Sequence, residues 1–241
     1  LQRIDPDMLQ QCLGEDGQLL LDTLNEKQIS LDGKKIRGVS PTSKGNEGLY
    51  ILSAWVSENS LCVGQTKVED KSNEITAIPN LLDTLDIQGA TVSIDAIGCQ
   101  KAIAAKIVAK EAEYFLSLKK NQKQVFEYVE DSFRFSNSPS FHEDWEYDHG
   151  RYETRKCTVI KITNLEQNEL CAQWKDLQYV VRVQASRRTN KGVSHETRYY
   201  LSNAQQGNAS YFNKVARGHW SIENQLHWHL DVTFGEDASR A

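Results

Sequence analysis

No apolar run in this sequence approaches the roughly 18 residues that a membrane-spanning helix requires. The opening LQRIDPDMLQQ has neither the basic start nor the apolar core of a signal peptide. Both absences point to a cytoplasmic protein with no membrane partner. The five cysteines, Cys12, Cys62, Cys99, Cys157 and Cys171, are odd in number, scattered, and free of any CxxC spacing. Neither a zinc knuckle nor a thioredoxin-like pair is expected from them, and reduced, mostly buried thiols are. Basic residues are also short, 28 Lys and Arg against 33 Asp and Glu, for a net charge of -5. A protein that merely coats DNA needs the opposite balance. There is no internal repeat or low-complexity tract, and no Ser-His-Asp or Cys-His arrangement that would ask for a covalent intermediate.

What is present is enough for a full core. With 39% hydrophobic and 25% charged residues, 241 residues suit one domain, or one domain carrying a large insertion. Periodicity predicts strands at 28–32, 49–56 and 61–68, the last two joined by a turn at Glu58-Asn59-Ser60. A helix capped by Asn73 follows through Ile75, Ile78, Leu81, Leu82 and Leu85, with Pro79 tolerable as a kink or boundary. Then come a strand at 90–95, an Ala-rich helix at 99–110, a strand at 114–118 and a helix at 122–133. The order is βββαβαβα. After Arg134 the texture changes: Ser-Asn-Ser-Pro, then charged, β-rich runs at 152–163, 179–184 and 197–202, with Asn190-Lys191-Gly192 as a hairpin signal. These predict an all-β insertion over 136–205, after which helix resumes at 209–231 with Asn208 or Ser210 as cap and an aromatic face through Phe212, Trp220 and Trp228.

Three acids stand out against this order. Asp32 and Asp95 each close a strand, and Glu223 lies on the late helix. Crossovers between parallel strands are right-handed, so the fourth strand can lie parallel to the first and beside it. Both aspartates then point into one crevice at the carboxyl ends of the strands, and the late helix adds Glu223 from across it. Packed carboxylates repel unless cations neutralise them, and oxygen-only ligands favour Mg²⁺ or Mn²⁺ over zinc. A pair of such ions suits in-line displacement at phosphorus, with water giving hydrolysis and a 3′-hydroxyl giving strand transfer.

Each residue has a plainer reading too. Asp32 before Gly33 suits a turn, Asp95 before Ala96 a helix cap, and Glu223 a solvated face. Lys34, Lys35 and Arg37, then Lys119, Lys120 and Lys123, then Arg182, Arg187, Arg188, Lys191 and Arg198 form basic clusters that suit either DNA or solvent. Arg151 and Arg155 either pair with Glu153 or reach DNA. Trp174, Trp220 and Trp228 suit the core, although a tryptophan in the insertion could instead stack on an unpaired base. His219, Glu223 and His227, four residues apart, offer a rival zinc reading that lacks HExxH and leaves both aspartates unexplained.

The stretches LDGKKIRG (31–38), SAWVSEN (53–59), EDKSNEITAIPNLLD (69–83), VSIDAIGCQKAIA (92–104), LKKNQ (118–122), HGRYETR (149–155), ETRYYLS (196–202) and ARGHWSIENQLHWHLDVTFGEDASR (216–240) carry a family resemblance. From about residue 28 to the end, the chain resembles the DDE transposases of bacterial insertion sequences, in particular the H-repeat-associated group. The resemblance implies an α/β fold, an RNase H-like mixed sheet flanked by helices, at 28–135 and 206–241. The β-rich insertion of 136–205 interrupts it, and 1–27 is the remnant of an N-terminal region, as in a truncated or trimmed chain. It implies Asp32, Asp95 and Glu223 as catalytic and metal-holding acids, Mg²⁺ or Mn²⁺ as cofactor, and transposon terminal inverted repeats and target DNA as partners, with a homodimer left open. Lys119, Asn121 and Gln122 follow the fifth strand near the active site of similar transposases, and Arg217 resembles the basic residue ahead of their glutamate. With Lys34 and Arg151, residues Lys119, Asn121 and Arg217 are the candidate DNA contacts. The wider Tyr-Arg-Glu-Lys signature places a lysine where this sequence has Leu230, so detailed DNA contacts do not transfer. The alternative is an inactive or domesticated transposase acting as a DNA-binding or protein-interaction module.

Overall fold

The structure is a computed structural model, and it describes residues 5, 8, 12, 15–17, 19, 27–36, 49–68, 74–136, 140–148, 150–162, 169–190, 192–205 and 207–238. Asn73 as a cap, Arg37, Lys191 and most of 1–27 lie outside the described residues. The meander opens with β1 (Gln28–Ile36), β2 (Leu49–Val56) and β3 (Leu61–Val68). Next come α1 (Glu74–Asp83), β4 (Thr91–Ile94), α2 (Lys101–Ala109), β5 (Glu113–Leu118) and α3 (Lys123–Phe135). Four long strands follow, β6 (Ser140–Asp148), β7 (Arg151–Lys161), β8 (Tyr179–Thr189) and β9 (Gly192–Ser202), with a short α4 (Glu169–Ala172) between β7 and β8. Helix α5 (Ala209–His219) continues into two π-helical segments, Ile222–His227 and His229–Thr233.

Among the described residues, the nine strands form one mixed sheet in the order β3-β2-β1-β4-β5-β9-β8-β7-β6. Strands β1, β4 and β5 run parallel, while β2 and β3 are antiparallel additions at one side. This is the RNase H-like arrangement. On the other side β9 pairs antiparallel with β5 through Phe115↔Ser202 to Leu118↔Tyr199, so the strands of the β-rich region extend the same sheet. That region is not all β, because α4 sits within it. Strand β6 has no buried apolar face: its aromatics Phe141, Trp145 and Tyr147 share one alternation and are exposed. Among the described residues, no helix is long and apolar enough to cross a membrane.

Alternation along the central strands separates two cores. Ile29, Leu31, Val92, Ile94, Tyr114 and Leu116 face Ile78 and Leu82 of α1 and Ile103 and Ile107 of α2. Phe115 and Tyr200 point the other way, into a second cluster with Phe212, Val215 and Ala216 of α5. Strands buried on both faces read as continuous apolar runs, which is why β5 carries YFL at its centre. Trp174, 2% exposed, belongs to the first core, which excludes it as a base-stacking platform.

Candidate active site

The register between β1 and β4 decides where the aspartates go. Leu31 pairs with Ile94 across parallel strands, so the next residue on each chain, Asp32 and Asp95, leaves the paired segment at the same level. Neighbouring strands lie about 4.8 Å apart, and period-two alternation turns both side chains to one face. It is the face that carries Gln28, Ser30 and Ser93. Ser93 Oγ donates to Ser30 Oγ at 3.0 Å, and Gln28 Nε2 donates to Val215 O of α5 at 2.8 Å. The sheet thus meets α5 through a polar stripe. Strand β1 does not end at Gly33 as expected; it runs on to Ile36. A side chain at Gly33 would collide with the carboxylate of buried Glu74, so glycine here serves close approach, not a turn.

The end of α5 is pinned to β2. Trp55 Nε1 donates to Ser221 Oγ at 2.9 Å, Ser221 Oγ donates to Gly218 O at 2.7 Å, and Ser57 Oγ donates to the same carbonyl at 2.8 Å. Gly218 has no room for a methyl group against Gln28. Two residues past Ser221, Glu223 is the second residue of the π-helical stretch and is exposed toward solvent. Asp95 is held locally, its Oδ1 accepting from Ile97 N at 2.9 Å. The loop behind it is braced by Asn121 Nδ2 on Ala96 O at 2.6 Å and by Gln122 Nε2 on Cys99 O at 3.0 Å.

Electrostatics ties the three acids together. Burial, then the charges of Asp95 and Glu223, with Glu74 a lesser contributor, push the Asp32 carboxyl up to about 7. Glu223 is also raised, first by the partial desolvation of its carboxyl although the residue as a whole is exposed, with Asp95 adding to it and the cations of Arg198 and Lys119 opposing. Such mutual repulsion between oxygen donors is relieved by a hard divalent cation, and the donor set fits one. Asp32, Asp95 and Glu223 are the residues that would hold it. As the side chains stand, no group of three or more His, Cys, Asp and Glu among the described residues is drawn together tightly enough to ligate a metal ion.

His227 reaches Asp32, Nδ1 to Oδ2 at 3.6 Å, while His219 Nδ1 meets Ser93 Oγ at 3.0 Å. Burial pushes both imidazoles down to about 4, so both are neutral near pH 7 and the His227 contact is not an ion pair there. The two rings serve different partners, and the zinc reading of His219, Glu223 and His227 gains nothing from the geometry.

The candidate DNA contacts separate into groups. Lys119 stands exposed at the end of β5, close enough for its charge to act on Glu223. Lys34 is two residues from Asp32 in sequence but committed to Asp231 and Glu236, both at 2.6 Å, with its side chain 10% exposed. Asn121 spends its amide on the Ala96 carbonyl. Arg217 pairs with Glu146 at 2.6 Å, and Glu146 also takes Arg155 at 3.0 Å. Arg151 pairs with Glu153 at 3.4 Å near the β6–β7 turn, four strands from β4. Three residues have a place here that the sequence reading did not give them: Glu74, which it did not single out; His227, named there only as a zinc ligand; and Arg198, named only within a basic cluster.

Comparison with known proteins bears on the family. Residues 24–241 match the family model described as "Transposase DDE domain". Over 223 residues the chain is 42% identical to "Putative transposase YncI" of Escherichia coli O157:H7, covering 88% of this chain and 56% of that protein. Over 218 residues it is 36% identical to "H repeat-associated putative transposase YhhI" of Escherichia coli strain K12, covering 87% of this chain and 57% of that one. The chain therefore spans a little over half the length of these relatives. A piggyBac transposase in a synaptic complex with hairpin DNA aligns over 89% of this chain and 45% of its own, at 9% identity and a TM-score of 0.46. The chain belongs to the transposase DDE domain family.

Proposed function

We propose that this protein cuts and joins DNA strands during transposition of an insertion sequence, with Asp32, Asp95 and Glu223 as the catalytic acids. The observation that carries this reading is the β1–β4 register, which ends its pairing at Leu31 and Ile94 just before Asp32 and Asp95, with the charge of Glu223 raising Asp32 and that of Asp95 raising Glu223. When bound, a pair of Mg²⁺ or Mn²⁺ ions supplies the positive charge that activates an attacking oxygen and stabilises the leaving one at phosphorus. The chain's own residues prepare the place. Ser221, held by Trp55 and Ser57, fixes the root of the π-helical stretch that carries Glu223. The Asn121 and Gln122 amides hold the loop beyond Asp95, and Lys119 offers a cation for a DNA phosphate. DNA ends and target DNA are the substrates this assigns, and β6–β9 is the inserted unit flanking the site.

The test is cleavage of labelled DNA ends from the parent element with Mg²⁺ or Mn²⁺, comparing the chain with Asp32→Ala, Asp95→Ala and Glu223→Ala. Each substitution should lower the rate by at least about 10²-fold, as loss of one group that stabilises transition-state charge does. EDTA should stop the reaction. Equal cleavage by all four proteins would remove the acids from the mechanism.

A further inference from the structure

Arg198 comes from β9, the strand that pairs with β5, and its guanidinium carbon lies 3.5 Å from the centroid of the Trp220 ring. At that distance the planar cation lies directly over the indole. Trp220 is itself the C-terminal cap residue of α5. Tyr200 stacks on Phe115 at 4.3 Å and Phe115 on Phe212 at 5.8 Å, in the core beneath α5. Arg198 and Tyr200 are alternate residues of one strand and share the face turned to α5.

The guanidinium is only partly spent. Its Nε and Nη2 both go to a single oxygen of Glu196, at 2.8 and 2.6 Å, and Nη1 has no partner among the described residues. The Glu196 side chain is 55% exposed, so this pair is one that a more highly charged anion can displace. The charge of Arg198 acts on both Glu223 and His219 without an ion pair to Glu223. A phosphodiester entering among carboxylates is repelled unless a cation faces it from the same side. Arg198, backed by an aromatic plane, meets that need with a fork that matches two phosphate oxygens.

We propose that Arg198 is a DNA phosphate-binding residue of the active site, its guanidinium on the Trp220 face taking the oxygens of a backbone phosphate beside Glu223. The inference rests on the transposase reading above. It means that the inserted strands supply part of the substrate site.

The experiment is titration of a labelled DNA duplex over a range of KCl concentrations, in EDTA so that nothing is cut, with Arg198→Gln, Arg198→Lys and Arg188→Gln. Arg198 pairs with Val183 and Arg188 with Val193, so Arg188 lies on the opposite sheet face and serves as a charge-matched control. Arg198→Gln should reduce the slope of log K against log salt by about 0.9, the share of one phosphate. Arg198→Lys should keep the slope while binding roughly tenfold more weakly at low salt, since a point charge replaces a fork. Arg188→Gln should leave the slope as it was. Unchanged binding by Arg198→Gln or Arg198→Lys overturns the proposal, and so does an equal slope loss in Arg188→Gln. Should Arg198→Gln melt before the titration, Arg198→Lys alone decides. If the parent chain binds and cuts DNA while the Arg198 variants match it, only this inference falls; if the parent chain binds no DNA, the transposase reading falls with it.

Discussion

At the residue scale, Asp32 has the most to lose from being charged. Its carboxyl, pushed up to about 7, lies above the ordinary value of 3.8, so between those two pH values the folded state holds a proton that the unfolded state releases. Its contribution to stability is therefore present at low pH and disappears as pH rises through about 7. In EDTA, Asp32→Asn should melt on the order of 5 °C higher than the parent at pH 8 and no higher at pH 4, as read by circular dichroism. A parent chain whose melting point does not fall relative to Asp32→Asn between those two pH values would contradict this assignment. Cation binding needs the carboxylate, so at pH 6 it should release a proton from Asp32 and at pH 9 should not. Calorimetry in two buffers of different ionisation enthalpy measures this, and an enthalpy that ignores the buffer at pH 6 would contradict it.

At the scale of elements, α5 and β1 approach through a glycine. Gly218 faces Gln28, whose amide bridges Ser93 and the Val215 carbonyl, and a methyl group there would displace that bridge. Gly218→Ala should cost about 1–3 kcal/mol in urea unfolding and lower cleavage more than binding, since it shifts the helix end that leads to Glu223. A variant with parental stability and cleavage would show that α5 has freedom to move. The ion pairs on the other flank of α5 predict less. Glu146 is held below the usual carboxylate range by Arg217 and then Arg155, yet it is exposed, so Glu146→Gln should leave the melting point within about 2 °C. Its expected effect is on DNA affinity, which should rise as Arg217 is released.

At the scale of the molecule, the β5–β9 pairing makes one sheet out of two halves that the sequence presents separately. Trp174, Leu177 and Val180 from the second half lie in the same core as Ile94 and Leu116 from the first. Trp174→Ala should therefore cost about 3–5 kcal/mol and shift a single unfolding transition, probed by both fluorescence and circular dichroism. Two separated transitions, with only one moved, would mean that β6–β9 folds as its own unit.

The amino-acid order by itself determined the three-strand meander, the alternation of helix and strand that follows, and the placing of Asp95 just past a strand, whereas Asp32, expected at a strand end, lies inside β1 where its pairing with β4 stops. Those features are written in local periodicity and in short turns, which need no knowledge of distant residues. It also held the family motifs from which Glu223 was read. Tertiary structure decided what no local pattern can express. Whether Lys34 is free or neutralised depends on Asp231 and Glu236, some two hundred positions away. Arg198 gains meaning only once Trp220 lies beneath it, and Gly33 is a point of close approach because Glu74 fills the space beside it. The length of β1, the burial of Trp174 and the fusion of two β regions into one sheet likewise follow from long-range pairing, whose energy is set by which surfaces meet and not by the residues on either side in the chain.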